Sequence, residues 1–299
     1  MEQVFDLVNG LLNRDRETRR RELRVKDYKV VPLGDQAGVI EFVINTQPFR
    51  DWLRSAHIKY RPQDTHPDEA GKLLRKNAEQ CRGAPQKQTE GFLKIKEKFR
   101  PVMRHYFTER HKTPIAWFGM RLRYTRSVAT TSIVGHVLGL GDRHVSNILL
   151  DRVTGEVVHI DLGIAFDQGK LLTVPERVPF RMTEDVVDGM GTSGTAGVFQ
   201  RCAEETLRVL RDESGVIMTV LEVFRHDPLH SWTASEVKRQ QADSDEMTNA
   251  DEAADRALSS VARKLNKSLS VEATVSGLIS EATDATNLAL IYYGWSPHY

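Results

Sequence analysis

Four polar side chains flank a short apolar segment in the middle of the sequence, and their types suit one kind of chemistry. Asp142, His144 and Asn147 precede this segment, and Asp161 follows it. Transfer of a phosphoryl group to a hydroxyl needs a carboxylate that orients the hydroxyl and accepts its proton. It also needs oxygen ligands, such as an amide and a second carboxylate, that hold Mg²⁺ on a nucleoside triphosphate. The spacing therefore predicts a phosphoryl-transfer site.

The apolar segment itself predicts a β-hairpin that returns the chain to the same place. Residues 148–150 and 157–160 are apolar runs, and the Thr154-Gly155 pair between them is typical of a turn. Apolar periodicity predicts a helix over 123–138, directly before the four polar residues. Further helices are predicted after the hairpin, over 183–190, 197–211 and 214–226.

The N-terminal part predicts a helix over 1–24 that ends in an arginine-rich stretch. Acidic residues alternate with these arginines, which favours a solvated helix end over a nucleic-acid patch. The other predicted elements are strands over 28–33 and 38–44, a polar surface insertion over 61–90 and a helix over 90–110.

Composition excludes several classes of protein. Lys plus Arg is 42 against 41 for Asp plus Glu, so a net charge of +1 gives no general attraction to nucleic acid or anionic membranes. No uncharged apolar run reaches the ~18 residues of a membrane span, and residues 1–6 do not resemble a secretory signal. Cys81 and Cys202 are too few for a disulfide framework, which indicates a reducing, intracellular compartment.

Longer stretches around the polar residues resemble one kinase family. Residues 124–129 and 139–147, which include Gly-Asp-Arg-His-x-x-Asn, resemble the phosphatidylinositol-3-kinase-related protein kinases. Within that family the sequence looks like the ATM branch of DNA double-strand-break checkpoint kinases, which also maintain telomeres. The stretches that carry this similarity are 159–169, 178–183 and 185–191, and the C-terminus resembles the FATC module that ends these kinases.

The resemblance implies a role for each site residue. Asp142 would be the catalytic base, and His144 would contact the transferring phosphate. Asn147 and Asp161 would bind Mg²⁺, or Mn²⁺ as a possible substitute, on ATP. The hinge between the kinase lobes would be Glu41, Phe42 and Val43, and Phe42 would pack on the adenine. The nucleotide pocket would also be lined by Tyr28, Leu149 and Ile160. Residues 164–182 would be the activation segment, which in this family selects a Gln directly after the target Ser or Thr.

The implied fold is α+β, the mainly helical C-terminal lobe of a bilobal kinase similar to the phosphatidylinositol 3- and 4-kinases. We expect four parts: an N-lobe remnant over 1–45, the C-lobe over 46–240, an acidic flexible linker over 241–266 and a helical FATC domain over 267–299. The N-lobe remnant would contain an αC-like helix, two strands and the hinge.

The implied function is ATP- and Mg²⁺-dependent phosphorylation of Ser-Gln and Thr-Gln sites in proteins of the DNA-damage response. We expect a nuclear location on chromosomes and telomeres, recruitment by a DNA-end-binding complex through regions outside this chain, and a homodimeric parent. Neither direct base-specific nucleic-acid binding nor membrane binding is expected.

Two departures from the family pattern leave alternatives open. No lysine lies upstream of Lys26 and no glycine-rich strand-turn-strand occurs before Tyr28, so we expect little or no activity from these 299 residues alone. A catalytically silent binding fragment and a sister branch of the family are the alternatives. In the tail, Trp295 fits the family pattern, but the aromatic residue expected three positions later is lacking, and Tyr299 is expected to substitute for it.

Overall fold

Helices form most of the computed structural model, which describes residues 1–34, 37–224 and 246–299. In these residues the α-helices are α1 (Glu2–Arg14), α2 (Arg16–Arg20), α3 (Phe49–Tyr60), α4 (Pro67–Gln80), α5 (Pro85–Glu97), α6 (Arg104–Arg110), α7 (Pro114–Leu138), α8 (Glu184–Asp188), α9 (Val198–Asp212), α10 (Ser214–Phe224), α11 (Glu246–Leu265), α12 (Val271–Thr283) and α13 (Ala285–Leu290). Short 3₁₀ helices cover Gln168–Leu171 and Tyr293–Trp295. The predicted α+β, mainly helical fold is confirmed.

The strands form two small antiparallel sheets and are, in chain order, β1 (Val30–Gly34), β2 (Ala37–Ile40), β3 (Thr46–Pro48), β4 (Ile148–Asp151) and β5 (Val157–His159). Strands β1 and β2 pair with each other, with Val31 opposite Val39. Strands β4 and β5 form the predicted central hairpin, with Leu149 opposite Val158. Strand β3 adds to the free edge of β4, a pairing that the short run Thr46–Pro48 did not predict.

Helix α7 is the central helix and begins at Pro114, earlier than residue 123 where the periodicity placed its start. From Tyr124 onward nearly every residue is buried, and α7 packs against α9 and β5. The helix ends at Gly139, whose φ of 63° is left-handed. A Cβ at this position would lie 2.3 Å from the backbone nitrogen of Asp167, so only glycine lets the chain turn here.

Residues 61–90, predicted as a polar surface insertion, instead contain α4 and the start of α5. Pro67 and Pro85 lie at the first turn of these helices, where proline initiates a helix rather than breaking it. Leu74 of α4 and Phe92 of α5 are buried in a second apolar cluster. The other members of this cluster lie near the C-terminus, namely Leu288, Ala289, Ile291 and Trp295. The prediction of an insertion is wrong because a proline in the first turn starts a helix, and only a proline farther along would break it.

The acidic linker predicted over 241–266 is also wrong for the part that the structure describes. Helix α11 covers Glu246–Leu265, whereas residues 241–245 lie outside the described residues. The apolar side chains of Ala254, Ala257, Leu258, Val261 and Leu265 are buried at helical spacing against the main core. In the sequence the many charged residues of this helix obscure its apolar face. The packing of the helix against the core reveals that face.

Two predicted helices are interrupted. The helix predicted over 1–24 ends at Arg14, and the Asp15 carboxylate accepts hydrogen bonds from the Glu17 and Thr18 amides to begin α2. The helix predicted over 90–110 is broken between α5 and α6, around Pro101. Among the described helices, none combines the length and the apolar character needed to cross a membrane.

Candidate active site

The catalytic loop, residues 139–147, joins α7 to β4 through an unusual backbone conformation. Asp142 has a left-handed φ of 55°, which costs a non-glycine residue about 1–2 kcal/mol. Two hydrogen bonds hold it. Its amide donates to the Glu176 carboxylate at 2.6 Å, and its carbonyl accepts from the side-chain amide of Asn147 at 2.9 Å. The loop is therefore fixed from both sides of Asp142.

Asn147 and Asp161 meet at the base of the central hairpin. Asn147 is buried, and the bond from its side-chain nitrogen to Asp142 leaves the amide oxygen available as a ligand. The Ile160 amide donates to the Asn147 carbonyl at 3.0 Å, which brings the exposed side chain of the next residue, Asp161, to the same end of the hairpin. The structure thus brings together the two residues predicted to bind the metal.

Arg143 ties these segments to each other. Its side chain is buried, and its guanidinium donates to the Gly141 carbonyl at 2.7 Å, to the Ile160 carbonyl at 2.8 Å and to the Asp161 carbonyl. One planar cation therefore spans the catalytic loop and the backbone of Asp161. We assigned no role to Arg143 from sequence, although it lies within the Gly-Asp-Arg-His motif.

His144 faces Asp142 in a defined tautomer. Its Nδ1 accepts a hydrogen bond from the Ser146 amide at 3.1 Å, so the proton of the neutral ring lies on Nε2. Nε2 is 3.9 Å from Oδ2 of Asp142. Burial lowers the pKa of His144, which keeps the ring neutral at pH 7. The Nε2–H group is therefore a donor beside the Asp142 carboxylate.

The residues predicted to bind the nucleotide differ in their surroundings. Tyr28 lies beside the Asp161 backbone and Arg143, and burial raises the pKa of its hydroxyl. Leu149 and Ile160 are half-buried on the central hairpin. In the predicted hinge, Glu41 and Phe42 are exposed, with 86% of the Phe42 surface accessible, and Val43 is half-buried. Within the hinge, the Glu41 amide donates to the Lys29 carbonyl, and the Val43 carbonyl accepts from the Thr46 hydroxyl.

The predicted activation segment, residues 164–182, packs against the catalytic loop. The Gly141 amide donates to the Ile164 carbonyl at 2.9 Å, and the Glu176 carboxylate reaches Asp142 from the far side. Between the segment and the loop lies a cavity of about 150 Å³. Its polar lining includes His136, Asp167, Lys170, Glu176, Arg177 and Glu281. Glu176 had no signal in the sequence, because its contact depends on how the segment folds back.

Arg181, at the end of the activation segment, anchors the C-terminal tail (residues 291–299). Its guanidinium donates to the carbonyls of Trp295 at 2.8 Å and Ser296 at 2.7 Å, and lies 4.2 Å from the centroid of the Trp295 ring. It also contacts the Arg143 carbonyl at 3.3 Å. Burial lowers the pKa of Arg181 to about 9, so the side chain remains charged at neutral pH. No local pattern marks Arg181, because its partners in the tail lie 114 and 115 residues away in the chain.

The tail itself differs from the sequence prediction at its last residues. His298 lies three residues after Trp295, at the position where the family pattern has an aromatic residue. It is buried, with its ring centroid 5.1 Å from that of Phe99. Tyr299 is buried as well and packs against His57 and Phe99. A histidine thus fills the aromatic position, and Tyr299 packs in addition to it.

The donor set around Asn147 fits Mg²⁺ on a nucleotide. One amide oxygen and one carboxylate are hard ligands, and Mg²⁺ in nucleotide sites completes its shell with phosphate oxygens and water. In the parts of the chain that are described, no group of three or more His, Cys, Asp or Glu side chains could hold a metal by itself. The residues present therefore fit a metal that arrives with its nucleotide.

Comparison with known proteins agrees with this geometry. The family model for phosphatidylinositol 3- and 4-kinase matches residues 1–234, and the FATC domain model matches residues 268–299. Fold and loop are those of a kinase catalytic lobe, and the chain belongs to the phosphatidylinositol 3- and 4-kinase family, with a FATC domain at its C-terminal end.

The curated relatives are protein kinases of the Tel1 type, which confirms the ATM-branch resemblance. Serine/threonine-protein kinase tel1 of Emericella nidulans is 50% identical over 315 aligned residues, which cover 100% of this chain and 11% of the relative. TEL1 of Cryptococcus neoformans var. neoformans serotype D is 48% identical over 298 residues, covering 99% of this chain and 10% of the relative. The chain thus spans about a tenth of the length of these relatives.

Solved structures give the same result. The FAT and kinase domain of CtTel1 matches with a TM-score of 0.91 and 48% identity, covering 100% of this chain and 20% of that one. The complete CtTel1 dimer with C2 symmetry also matches with a TM-score of 0.91 and 48% identity, covering 100% of this chain and 11% of that one.

Proposed function

We propose that this chain forms the catalytic lobe of an ATP- and Mg²⁺-dependent protein kinase that phosphorylates Ser or Thr. The observation that carries the proposal is the convergence of Asp142, His144, Asn147 and Asp161 on one end of the central hairpin, braced by Arg143. The similarity to kinases of the Tel1 type supports a protein rather than a lipid as the phosphate acceptor.

Each side chain has a task in this proposal. Asp142 orients the acceptor hydroxyl and accepts its proton, while the Nε2–H of His144 donates to a phosphate oxygen. Asn147 and Asp161 would hold Mg²⁺, which neutralises charge on the triphosphate when bound. Tyr28, Leu149, Ile160 and the hinge residues Glu41, Phe42 and Val43 would form the nucleotide pocket.

We propose further that the acceptor Ser or Thr is followed by Gln. The cavity between the catalytic loop and the activation segment offers carboxylates of Asp167 and Glu176 and the ammonium of Lys170. A carboxamide, which both donates and accepts hydrogen bonds, matches such a mixed lining. A kinase with this preference would serve the DNA-damage response in the nucleus, at chromosomes and telomeres. There a DNA-end-binding complex would recruit a homodimeric parent.

Nucleotide binding tests the metal and nucleotide assignments directly. We expect Mg-ATP to raise the thermal unfolding midpoint of the chain, and Asp161→Ala to abolish that rise because the Mg²⁺ ligand is lost. The matched control is Glu79→Ala, which removes an exposed carboxylate of α4 that pairs with Arg75. Equal rises for wild type and Asp161→Ala would refute the assignment and favour the silent binding fragment.

Phosphate transfer tests the reaction and the Ser-Gln preference. We expect a kinase of native length to phosphorylate a Ser-Gln peptide faster than matched Ser-Ala and Ser-Pro peptides. Asp142→Asn should lower kcat by about 10³-fold, within the usual range for loss of a positioned base. The 299-residue chain alone should transfer phosphate slowly, because none of its residues matches the glycine-rich loop or the strand lysine. A preference for Ser-Pro would instead indicate a sister branch.

A further inference from the structure

Glu176 occupies an unusual niche between the activation segment and the catalytic loop. Its Oε1 accepts the Asp142 amide at 2.6 Å, and its own amide donates to the Gly169 carbonyl at 3.1 Å. A Cβ added at Gly141 would lie 2.7 Å from Oε2, and one at Gly169 would lie 2.4 Å from it. The carboxylate therefore fills space that exists only because both neighbours are glycines.

The contacts of Glu176 are directed at the backbone rather than at a counter-ion. Glu176 forms no ion pair within the described part of the chain, and the amide that donates to its carboxylate belongs to Asp142, the non-glycine residue of the catalytic loop with a left-handed backbone. An N–H group that donates to a carboxylate is held more tightly than one that donates to a neutral oxygen. Glu176 is thus placed to stabilise the Asp142 conformation.

The same carboxylate lines the cavity described above, together with Asp167 and Lys170. A group that enters this cavity contacts the side chain of Glu176. One oxygen of this carboxylate, Oε1, already accepts the Asp142 amide, and the group would bind the other. The two oxygens of the Glu176 carboxylate belong to one rigid plane. A bond from a ligand to one oxygen therefore also favours the conformation in which the other oxygen accepts the Asp142 amide. Occupancy of the cavity and geometry of the loop are therefore linked through one side chain.

We propose that Glu176 is a positioning residue that transmits occupancy of the cavity to the backbone of Asp142. In the kinase reaction proposed above, on which this inference rests, a substrate residue in the cavity would promote the productive orientation of the Asp142 carboxylate. The bonds of Glu176 go to the Asp142 amide and the Gly169 carbonyl rather than to the predicted metal ligands Asn147 and Asp161. Its effect would fall on kcat rather than on the binding of ATP.

Hydrogen exchange tests the positioning without any need for activity. In the 299-residue chain, Glu176→Ala should raise the exchange rate of the Asp142 amide by about 10-fold or more, since the acceptor is lost. Glu176→Gln retains an acceptor oxygen and should remain within about threefold of wild type. The matched control is Glu184→Ala, which removes a carboxylate of α8 paired with Lys96 outside the site. Unchanged exchange in Glu176→Ala would overturn the proposal.

The coupling is tested with two peptides that differ only after the serine. A saturating Ser-Gln peptide should slow exchange of the Asp142 amide in wild type, whereas the matched Ser-Ala peptide should not. In Glu176→Ala both peptides should leave the rate unchanged. If the Ser-Gln peptide does not slow exchange in wild type, or slows it equally in Glu176→Ala, transmission through Glu176 is refuted.

Kinetics on a kinase of native length separate positioning from mere structural support. Glu176→Ala should lower kcat by about 10- to 100-fold while the KM for ATP and the thermal midpoint stay near wild type, and Glu176→Gln should restore most of kcat. Loss of kcat accompanied by a raised KM for ATP and a lower midpoint would overturn the proposal. Absence of transfer in wild type would refute the proposed function, and the exchange experiment would still decide the role of Glu176.

Discussion

The catalytic loop and the β1–β2 hairpin lie in the same chain but are held in different ways. Arg143, Glu176 and Arg181 each direct a charged side chain at backbone groups of the loop, the hairpin base or the C-terminal tail. Strands β1 and β2, in contrast, are exposed along their whole length, with large apolar side chains on the surface, namely Val30, Val31, Leu33, Val39 and Ile40.

This difference separates two parts of a kinase site. The groups predicted to move the proton and hold the metal are fixed by long-range side-chain bonds within the described chain. The hinge next to β2 is held more weakly: Phe42 is exposed, the backbone bond from Glu41 is local to the hairpin, and the bond that the Glu2 carboxylate of α1 accepts from the Val30 amide at 2.7 Å is exposed to solvent. We infer that the part of the site formed by the catalytic loop and the central hairpin is rigid, whereas the hinge next to β2 is easily deformed.

The largest effect that would test this contrast is the loss of Arg181. Arg181→Ala removes a buried cation that serves the Trp295 and Ser296 carbonyls, so we expect the free energy of unfolding to fall by about 3 kcal/mol. Urea denaturation of the chain measures it. Arg54→Ala, which breaks the exposed ion pair with Asp68, is the control and should stay close to wild type. Equal stability of both variants would contradict the contrast.

A smaller effect concerns His298 and depends on pH. Burial lowers the pKa of His298 to about 3 from the ordinary value of 6.5, and neither ring nitrogen has a partner among the described residues. Arg181, His57 and Arg50 face the ring and further disfavour its charged form. Between these pKa values the unfolded chain binds a proton that the folded chain does not, so stability falls as the pH falls below 6.5.

His298→Phe should remove this dependence. The variant should be more stable than wild type, and the difference should grow by about 1 kcal/mol between neutral pH and about pH 5.5. Urea denaturation at both pH values measures the change. Leu269→Phe is the control, because Leu269 is exposed and carries no titratable side chain, so it should show no such growth. A pH-independent difference for His298→Phe would mean that the buried ring titrates normally.

The smallest effect is expected in the β1–β2 hairpin. Val31→Thr keeps a β-branched residue in a strand position that is 51% exposed, so the free energy of unfolding should change by less than about 0.5 kcal/mol. Val134→Thr, in the buried part of α7, is the matched comparison and should cost several times more, because it buries a hydroxyl. Similar losses for both variants would show that the hairpin is as tightly packed as the core.

Local pattern predicted most of the elements near the site and failed where side chains act at a distance. The Gly-Asp-Arg-His-x-x-Asn run and the apolar pair of strands predicted the loop and the central hairpin, because turn chemistry and apolar runs are local signals. The prolines at 67 and 85 were misleading, because only the helices that follow decide whether a proline initiates or breaks. Helix α11 was missed because its acidic residues dominate its composition.

The sequence by itself determined the chemistry available to this protein: Asp142, His144, Asn147 and Asp161 flank one apolar hairpin, and their order along the chain follows from covalent connectivity. Only the tertiary structure decided which groups hold them in place. Glu176 lies 34 residues after Asp142, and Arg181 lies 114 residues before Trp295. Such bonds form because burial removes water from the charged side chains and leaves backbone groups as their partners, a result that no local pattern encodes.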